Sequence, residues 1–210
     1  MSDEAALPIH EAIAFALPIS PNAQTCVTIG VLAGPLRQKL EEFGLVVDEL
    51  PAYGQNAFFQ EGGGSDGEEI KPTAQYDCVL LMSGTCNLMS AAAVKKVSRL
   101  LANGGTLILF SSRVRNSSGR VAKVLGGICC ALHVAVSVSF MRRIGVHKIN
   151  VLNAMPSLSS PIFIFERGDS RVLKFAQAAL PQMSRNMRIL WSLPSIMKYM
   201  VGEPFIVGVR

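Results

Sequence analysis

Between Tyr76 and Ser112 the chain reads YDCVLLMSGTCNLMSAAAVKKVSRLLANGGTLILFSS, and this stretch constrains the fold more than any other. Cys78–Met82 is a short apolar run without polar alternation, the pattern of a strand buried on both faces. Ser90 is placed to cap a helix, because its hydroxyl accepts from N–H groups left free in the first turn. Ala91–Ala102 carries Val94, Val97, Leu100 and Leu101 on one stripe and turns Lys95, Lys96 and Arg99 away, which predicts that helix. Asn103-Gly104-Gly105 stops it. Thr106–Phe110 is a second apolar strand. Strand, helix and strand of these lengths form a βαβ unit with parallel strands and a right-handed crossover.

The flanking sequence repeats the theme. Thr25–Leu32 reads as a first strand, Ala33-Gly34-Pro35 as a turn, Leu36–Phe43 as a helix stopped by Gly44, and Leu45–Leu50 as a second strand. Two such units predict an α/β fold with a Rossmann-like, doubly wound, mostly parallel sheet. Half of the 210 residues are hydrophobic and only 17% are charged, in keeping with a sheet covered on both sides. Before the first strand, residues 1–24 read as an N-terminal arm whose Ala5–Leu17 section is apolar enough to dock on the body. Residues 25–210 read as a single domain. Within it, the acidic, glycine-rich 52–74 segment is expected to be a flexible surface loop.

After Ser112 come a polar loop over Arg113–Gly119 and a helix over Arg120–Leu132, its inner face formed by Val121, Val124, Leu125, Ile128 and Cys129. His133–Met141 and Val146–Leu152 read as strands joined by a hairpin turn at Arg142–Gly145. Pro156–Pro161 reads as a loop and Pro161–Phe165 as a strand. Residues 170–210 form a C-terminal extension: helices over Arg171–Leu180 and Ser184–Met200, separated by Pro181, and a closing strand at Pro204–Val209.

Several functions are excluded by pattern. No apolar run reaches the roughly 18 residues of a membrane helix, and Met1–Leu17 holds Asp3, Glu4 and Glu11 with no basic start, so neither a membrane anchor nor a secretory signal is expected. The five cysteines, Cys26, Cys78, Cys86, Cys129 and Cys130, show no C-x-x-C spacing. They read as free thiols of a reducing compartment, with no metal site, and the expected location is cytoplasmic. His10, His133 and His147 lack ligand spacing, and His133, in an apolar run, reads as a core histidine. The net charge of +5 leaves nucleic-acid contact as a weak option, since the basic clusters have no interleaved aromatics. No phosphate loop or nucleophile elbow is present.

The central unit resembles the second half of class I S-adenosylmethionine-dependent methyltransferases. Tyr76-Asp77 opens the strand, and Arg99-Leu100-Leu101 with Gly104-Gly105 matches an R-x-L-x-x-G-G helix end. The resemblance implies a methyltransferase-like fold with antiparallel C-terminal strands. It also implies a site for S-adenosylmethionine at the turn after the first strand, where Gly30 and Gly34 stand, with Asp48 or Glu49 as the acid for the ribose hydroxyls and Ser83 beside the cofactor. Thr85, Cys86 and Asn87 would line a substrate pocket or simply connect strand to helix, and no catalytic residue is singled out. The turn departs from the family pattern: Gly30-Val31-Leu32-Ala33-Gly34-Pro35 lacks G-x-G-x-G spacing and contains a proline.

An eroded turn on this fold is similar to the N-terminal domain of the anamorsin family, which serves cytosolic iron–sulfur cluster assembly. Ser83-Gly84, Arg99–Gly105 and Ile128-Cys129-Cys130-Ala131-Leu132 carry that likeness. It implies a catalytically degenerate domain that acts through a protein partner. The alternative is an active methyltransferase with a noncanonical cofactor turn.

Overall fold

The uninterrupted apolar runs become the middle of a sheet. In a computed structural model of the chain, β1 (Thr25–Ile29), β2 (Val46–Leu50), β3 (Tyr76–Met82) and β4 (Leu101–Phe110) are parallel neighbours in the order β2-β1-β3-β4. The structure describes residues 9–30, 34–50, 75–82, 91–110, 120–167, 169 and 202–210, with the side chains of 120–131 and 156 outside that description. The expected loops at 52–74 and 113–119, the Ser90 cap, Ser83 with the 84–87 stretch, and the helices over 171–180 and 184–200 all lie outside the described residues.

Helix α1 (Gly34–Glu42) follows β1, α2 (Ala91–Leu100) follows β3, and α3 (Arg120–Ile144) follows β4. Leu36 and Leu40 of α1 pack on one face of the sheet with Cys26, Cys78, Leu80 and Phe110. A 3-10 helix, Glu11–Ala16, covers the same face through Ile13 and Ala14, flanked by Ile9 and Leu17. The Thr106 hydroxyl ties this arm down by donating to the Pro18 carbonyl at 2.8 Å. On the other face, Ala93 and Val97 of α2 and Val134, Phe140, Met141 and Ile144 of α3 bury Val27, Val79, Leu81, Leu107 and Leu109. The middle strands β1 and β3 and the Thr106–Phe110 part of β4 are therefore covered on both faces, as their apolar runs require, whereas the edge strand β2 exposes Val46, Asp48 and Glu49.

The sheet continues with antiparallel strands. β5 (Lys148–Ser157) and β6 (Ser160–Glu166) form a hairpin, and β7 (Glu203–Val209) inserts between β4 and β5, giving seven strands ordered β2-β1-β3-β4-β7-β5-β6. The region expected as a loop over 156–161 is largely strand, with only the turn at 158–159 between β5 and β6. The closing strand is thus an interior strand. Its Gly208 has a packing reason: a Cβ there would lie 2.4 Å from Val146 Cγ1 and 3.3 Å from Met141 Sδ.

Two further expectations are overturned. The helix after β3 stops at Leu100, not Ala102, and Leu101–Gly105, expected as its last residues and its stop, belong to β4, because the buried Leu101 pairs with Tyr76. The larger change is in α3. The 133–141 stretch is not a strand and 142–145 is not a hairpin turn; α3 runs unbroken to Ile144. Val134, Ser137, Phe140, Met141 and Ile144 are buried, the period of a helix face against the sheet. The valines suggested a strand, but β-branching lowers helix propensity only slightly and tertiary packing outweighs it. Gly145 ends the helix at φ +92, its N–H donating to the Arg142 carbonyl at 3.1 Å.

Candidate functional site

In an open α/β sheet, ligands bind outside the carboxyl ends of the strands, where neighbouring strands lead to helices on opposite faces. Here that point lies between β1, followed by α1, and β3, followed by α2. At its centre is Gly30. It is buried, has φ +104, and donates its N–H to the Leu50 carbonyl at 3.1 Å. A side chain is disfavoured in this left-handed conformation, so the glycine expected for a cofactor turn is needed at this position. Gly34 differs. It opens α1, is exposed, and a Cβ added there would meet nothing within 4 Å. The turn residues 31–33, and Ser83, lie outside the described residues.

The acids of β2 are already engaged. Asp48 stands opposite Val27, two residues short of the strand's carboxyl end. Its carboxylate accepts the Tyr76 hydroxyl at 2.9 Å. Burial, with this carboxylate as a further cause, raises the Tyr76 pKa. Glu49 faces α1, where Arg37 donates to it at 2.8 Å and to Glu41 at 2.9 Å. Glu41 first, then Glu49, pushes Arg37 further into its charged form. The last residue of β2 is Leu50, which is buried.

Asp77, part of the motif that opens the central unit, sits at the opposite edge of the sheet. Its Oδ2 accepts from the N–H of Gln24 at 2.8 Å, the N–H of Thr25 at 3.0 Å and the Thr25 hydroxyl at 3.0 Å, while the Asp77 N–H donates to Thr25 Oγ1 at 3.1 Å. The Gln24 bond above all holds this carboxyl below its ordinary pKa. Asp77 therefore fixes the entry of β1. Tyr76 reaches Asp48 because the β3–β4 register shifts between Tyr76 and Cys78, so that Tyr76 joins the α2–α3 side while Cys78 faces the α1 side. No sequence signal announced this irregularity.

A further polar group near the ligand edge is Asn153. Leu152 is level with Phe205 and Phe110, so Asn153 lies one residue beyond the end of β4. It is buried, and its Oδ1 has no hydrogen-bond partner among the described residues. The expected strand ended at Leu152, and β5 runs on through Asn153, so the sequence did not single this residue out. His133 is half-buried on α3, 3.5 Å from Ser137 Oγ through Nδ1, and burial lowers its pKa, in line with a neutral packed histidine. Cys26 and Cys78 are buried free thiols side by side on β1 and β3; the Cys78 contact and burial raise the Cys26 pKa well above its ordinary value. Among the described residues no three His, Cys, Asp or Glu side chains group as metal ligands, and no helix is long and apolar enough to cross a membrane.

No protein-family pattern matches this sequence, and no curated protein matches it. The fold does have solved counterparts. An S-adenosylmethionine-dependent methyltransferase from Archaeoglobus fulgidus superposes with a TM-score of 0.52 at 10% identity, covering 95% of this chain and 92% of that one. One from Thermotoga maritima gives 0.45 at 15% identity, covering 95% and 86%. The Archaeoglobus fulgidus counterpart and the sheet order together give the chain a methyltransferase-like Rossmann fold, with a parallel core and antiparallel C-terminal strands.

Proposed function

We propose that this chain is a catalytically degenerate methyltransferase-like domain that works by contacting another protein. The observation that carries the reading is the engagement of both candidate ribose acids: Asp48 accepts from Tyr76, and Glu49 is paired with Arg37. Each carboxylate keeps a second acceptor oxygen, so these contacts fix the direction of the acids rather than exhaust them; the carboxyl end of β2, where the family's ribose acid belongs, is instead the buried Leu50. The departure of the Gly30–Pro35 turn from family spacing supports the same reading. The resemblance of Ser83-Gly84, Arg99–Gly105 and Ile128–Leu132 to the anamorsin N-terminal domain supports a cytoplasmic role in iron–sulfur cluster assembly. Calorimetric titration with S-adenosylmethionine and S-adenosylhomocysteine tests the degenerate reading; micromolar binding of either would sink it. The assembly role is checked by depleting the protein in its own cells, where cytosolic iron–sulfur enzymes are expected to lose activity; unchanged activities would remove that part.

The second reading is an active methyltransferase with a noncanonical turn, with Gly30, Gly34, Asp48 and Ser83 around the cofactor. It is favoured by the φ of +104 at Gly30, which keeps the backbone free of a side chain where the family binds its ligand. Absence of binding at millimolar cofactor would eliminate it.

A further inference from the structure

The charges of this chain are segregated. Between Asp77 and Glu166 there is no aspartate or glutamate, while Lys95, Lys96, Arg99, Arg142, Arg143 and Lys148 all fall in that interval. The fold gathers part of this charge at the amino edge of the sheet. α2 enters β4 and α3 leads into β5, so both helices end there, with Arg99 in the last turn of α2 and Arg142 and Arg143 in that of α3. The edge is continuous: the His147 N–H donates to the Val209 carbonyl, and the Gly104 N–H to the Arg210 carbonyl. Basic side chains at helix C-termini offset the macrodipole, which amounts to about half a negative charge per helix end. That accounts for part of the charge and leaves a surplus, because Arg99, Arg142 and Lys148 are exposed and form no ion pair among the described residues.

An apolar section adjoins the cations. Leu132, Ala135, Ser139 and Arg142 are exposed at helical spacing on α3, and Leu132 is 61% exposed. This stripe passes from apolar to cationic toward the amino edge. Ala135 carries only a methyl group, so it leaves room beside Leu132 for an incoming apolar side chain. Bare phosphate contact has no use for Leu132, and Phe140, the aromatic side chain of α3, is 1% exposed and offers no stacking platform. The geometry points to the outer stripe of α3, with Arg99 and Lys148 beside its end, as the docking surface for an acidic polypeptide segment that carries an apolar side chain at one end. This names the partner chemistry for the protein-contact reading and rests on that reading.

The probe is a short fluorescent peptide of glutamates with two leucines at one end, measured by anisotropy against the full chain in low and moderate salt. Comparisons are an all-glutamate peptide, a DNA duplex of equal charge and phosphatidylserine vesicles. Salt-sensitive binding that is tightest for the leucine-bearing peptide is expected. The R99Q/R142Q/K148Q variant should weaken it about tenfold, and Leu132→Ser should weaken it about fivefold while leaving the all-glutamate peptide unchanged. Circular dichroism checks that each variant is folded; should the triple variant fail, Lys148→Gln alone and Leu132→Ser decide. Tighter binding to the duplex or the vesicles, or affinity unmoved by the folded variants, overturns the proposal. Cofactor titration reports separately on the opposite edge: bound S-adenosylmethionine would remove the degenerate reading without touching this surface, and a failed peptide titration would remove the surface alone.

Discussion

The two rims of the sheet are built differently. At the amino rim, polar side chains are tied into the framework. Asp77 clamps the start of β1, and Arg210 donates through one guanidinium nitrogen to the carbonyls of Ser98 and Leu101 at 2.7 Å each, satisfying groups at the end of α2. At the carboxyl rim, Gly30 keeps a conformation that suits a ligand turn, Asn153 Oδ1 is unpaired among the described residues, and the acids of β2 are directed elsewhere. The residues that most resemble methyltransferases, Tyr76-Asp77 and Arg99 through Gly105, belong to the first rim. They hold the strands and helix together at the rim away from Gly30. A chain can keep them for stability after its chemistry has gone, so their presence signals the fold and says little about catalysis.

This contrast can be broken by mutation. Asp77→Ala removes an ionised acceptor of three hydrogen bonds and should cost about 3 kcal/mol in denaturant unfolding; a loss below one-third of that would deny the clamp. The same carboxyl gives a pH signature. Its folded pKa is depressed, so its stabilisation is complete above the unfolded carboxyl value and is lost as pH falls through the folded one. Wild type should therefore weaken from about pH 4 downward, and Asp77→Asn should show a flatter profile. Gly208→Ala places a methyl against Val146 and should cost about 2 kcal/mol, with β7 and α3 losing hydrogen-exchange protection together.

Smaller effects separate the rims further. At the carboxyl rim, Gly30→Ala should cost about 1.5 kcal/mol through its backbone conformation alone. If the chain binds S-adenosylmethionine after all, the same variant should abolish that binding, which calorimetry would reveal. Tyr76→Phe should cost about 1 kcal/mol, because it removes a buried hydroxyl and leaves Asp48 to solvent. Arg37→Gln, which breaks a surface pair, should shift the unfolding free energy by less than about 0.5 kcal/mol.

The sequence made much of the fold legible because its signals are local. The apolar runs at β1, β3 and β4 and the amphipathic spacing of α2 each fit one kind of element, and the parallel βαβ connection follows from their order. The candidate site was legible only in part. Gly30 was visible as a candidate turn glycine, although the first strand was expected to reach Leu32 and ends at Ile29. That Asp48 is engaged was not visible, because its partner Tyr76 is distant in sequence and reaches it through an irregular register that alternation does not encode. The helical 133–141 stretch was misread because its valines suit a strand or a helix, and the sheet face beneath them selected the helix.

By itself, then, the sequence determined the α/β class and the parallel core, since each depends on residue order and short-range periodicity. It also set the charge segregation between Asp77 and Glu166. Tertiary structure alone decided that β7 enters between β4 and β5, that α3 is one 25-residue helix, and that the β2 acids serve Tyr76 and Arg37. These depend on contacts between distant segments, whose free energy arises only when the sheet is assembled and buries its two faces.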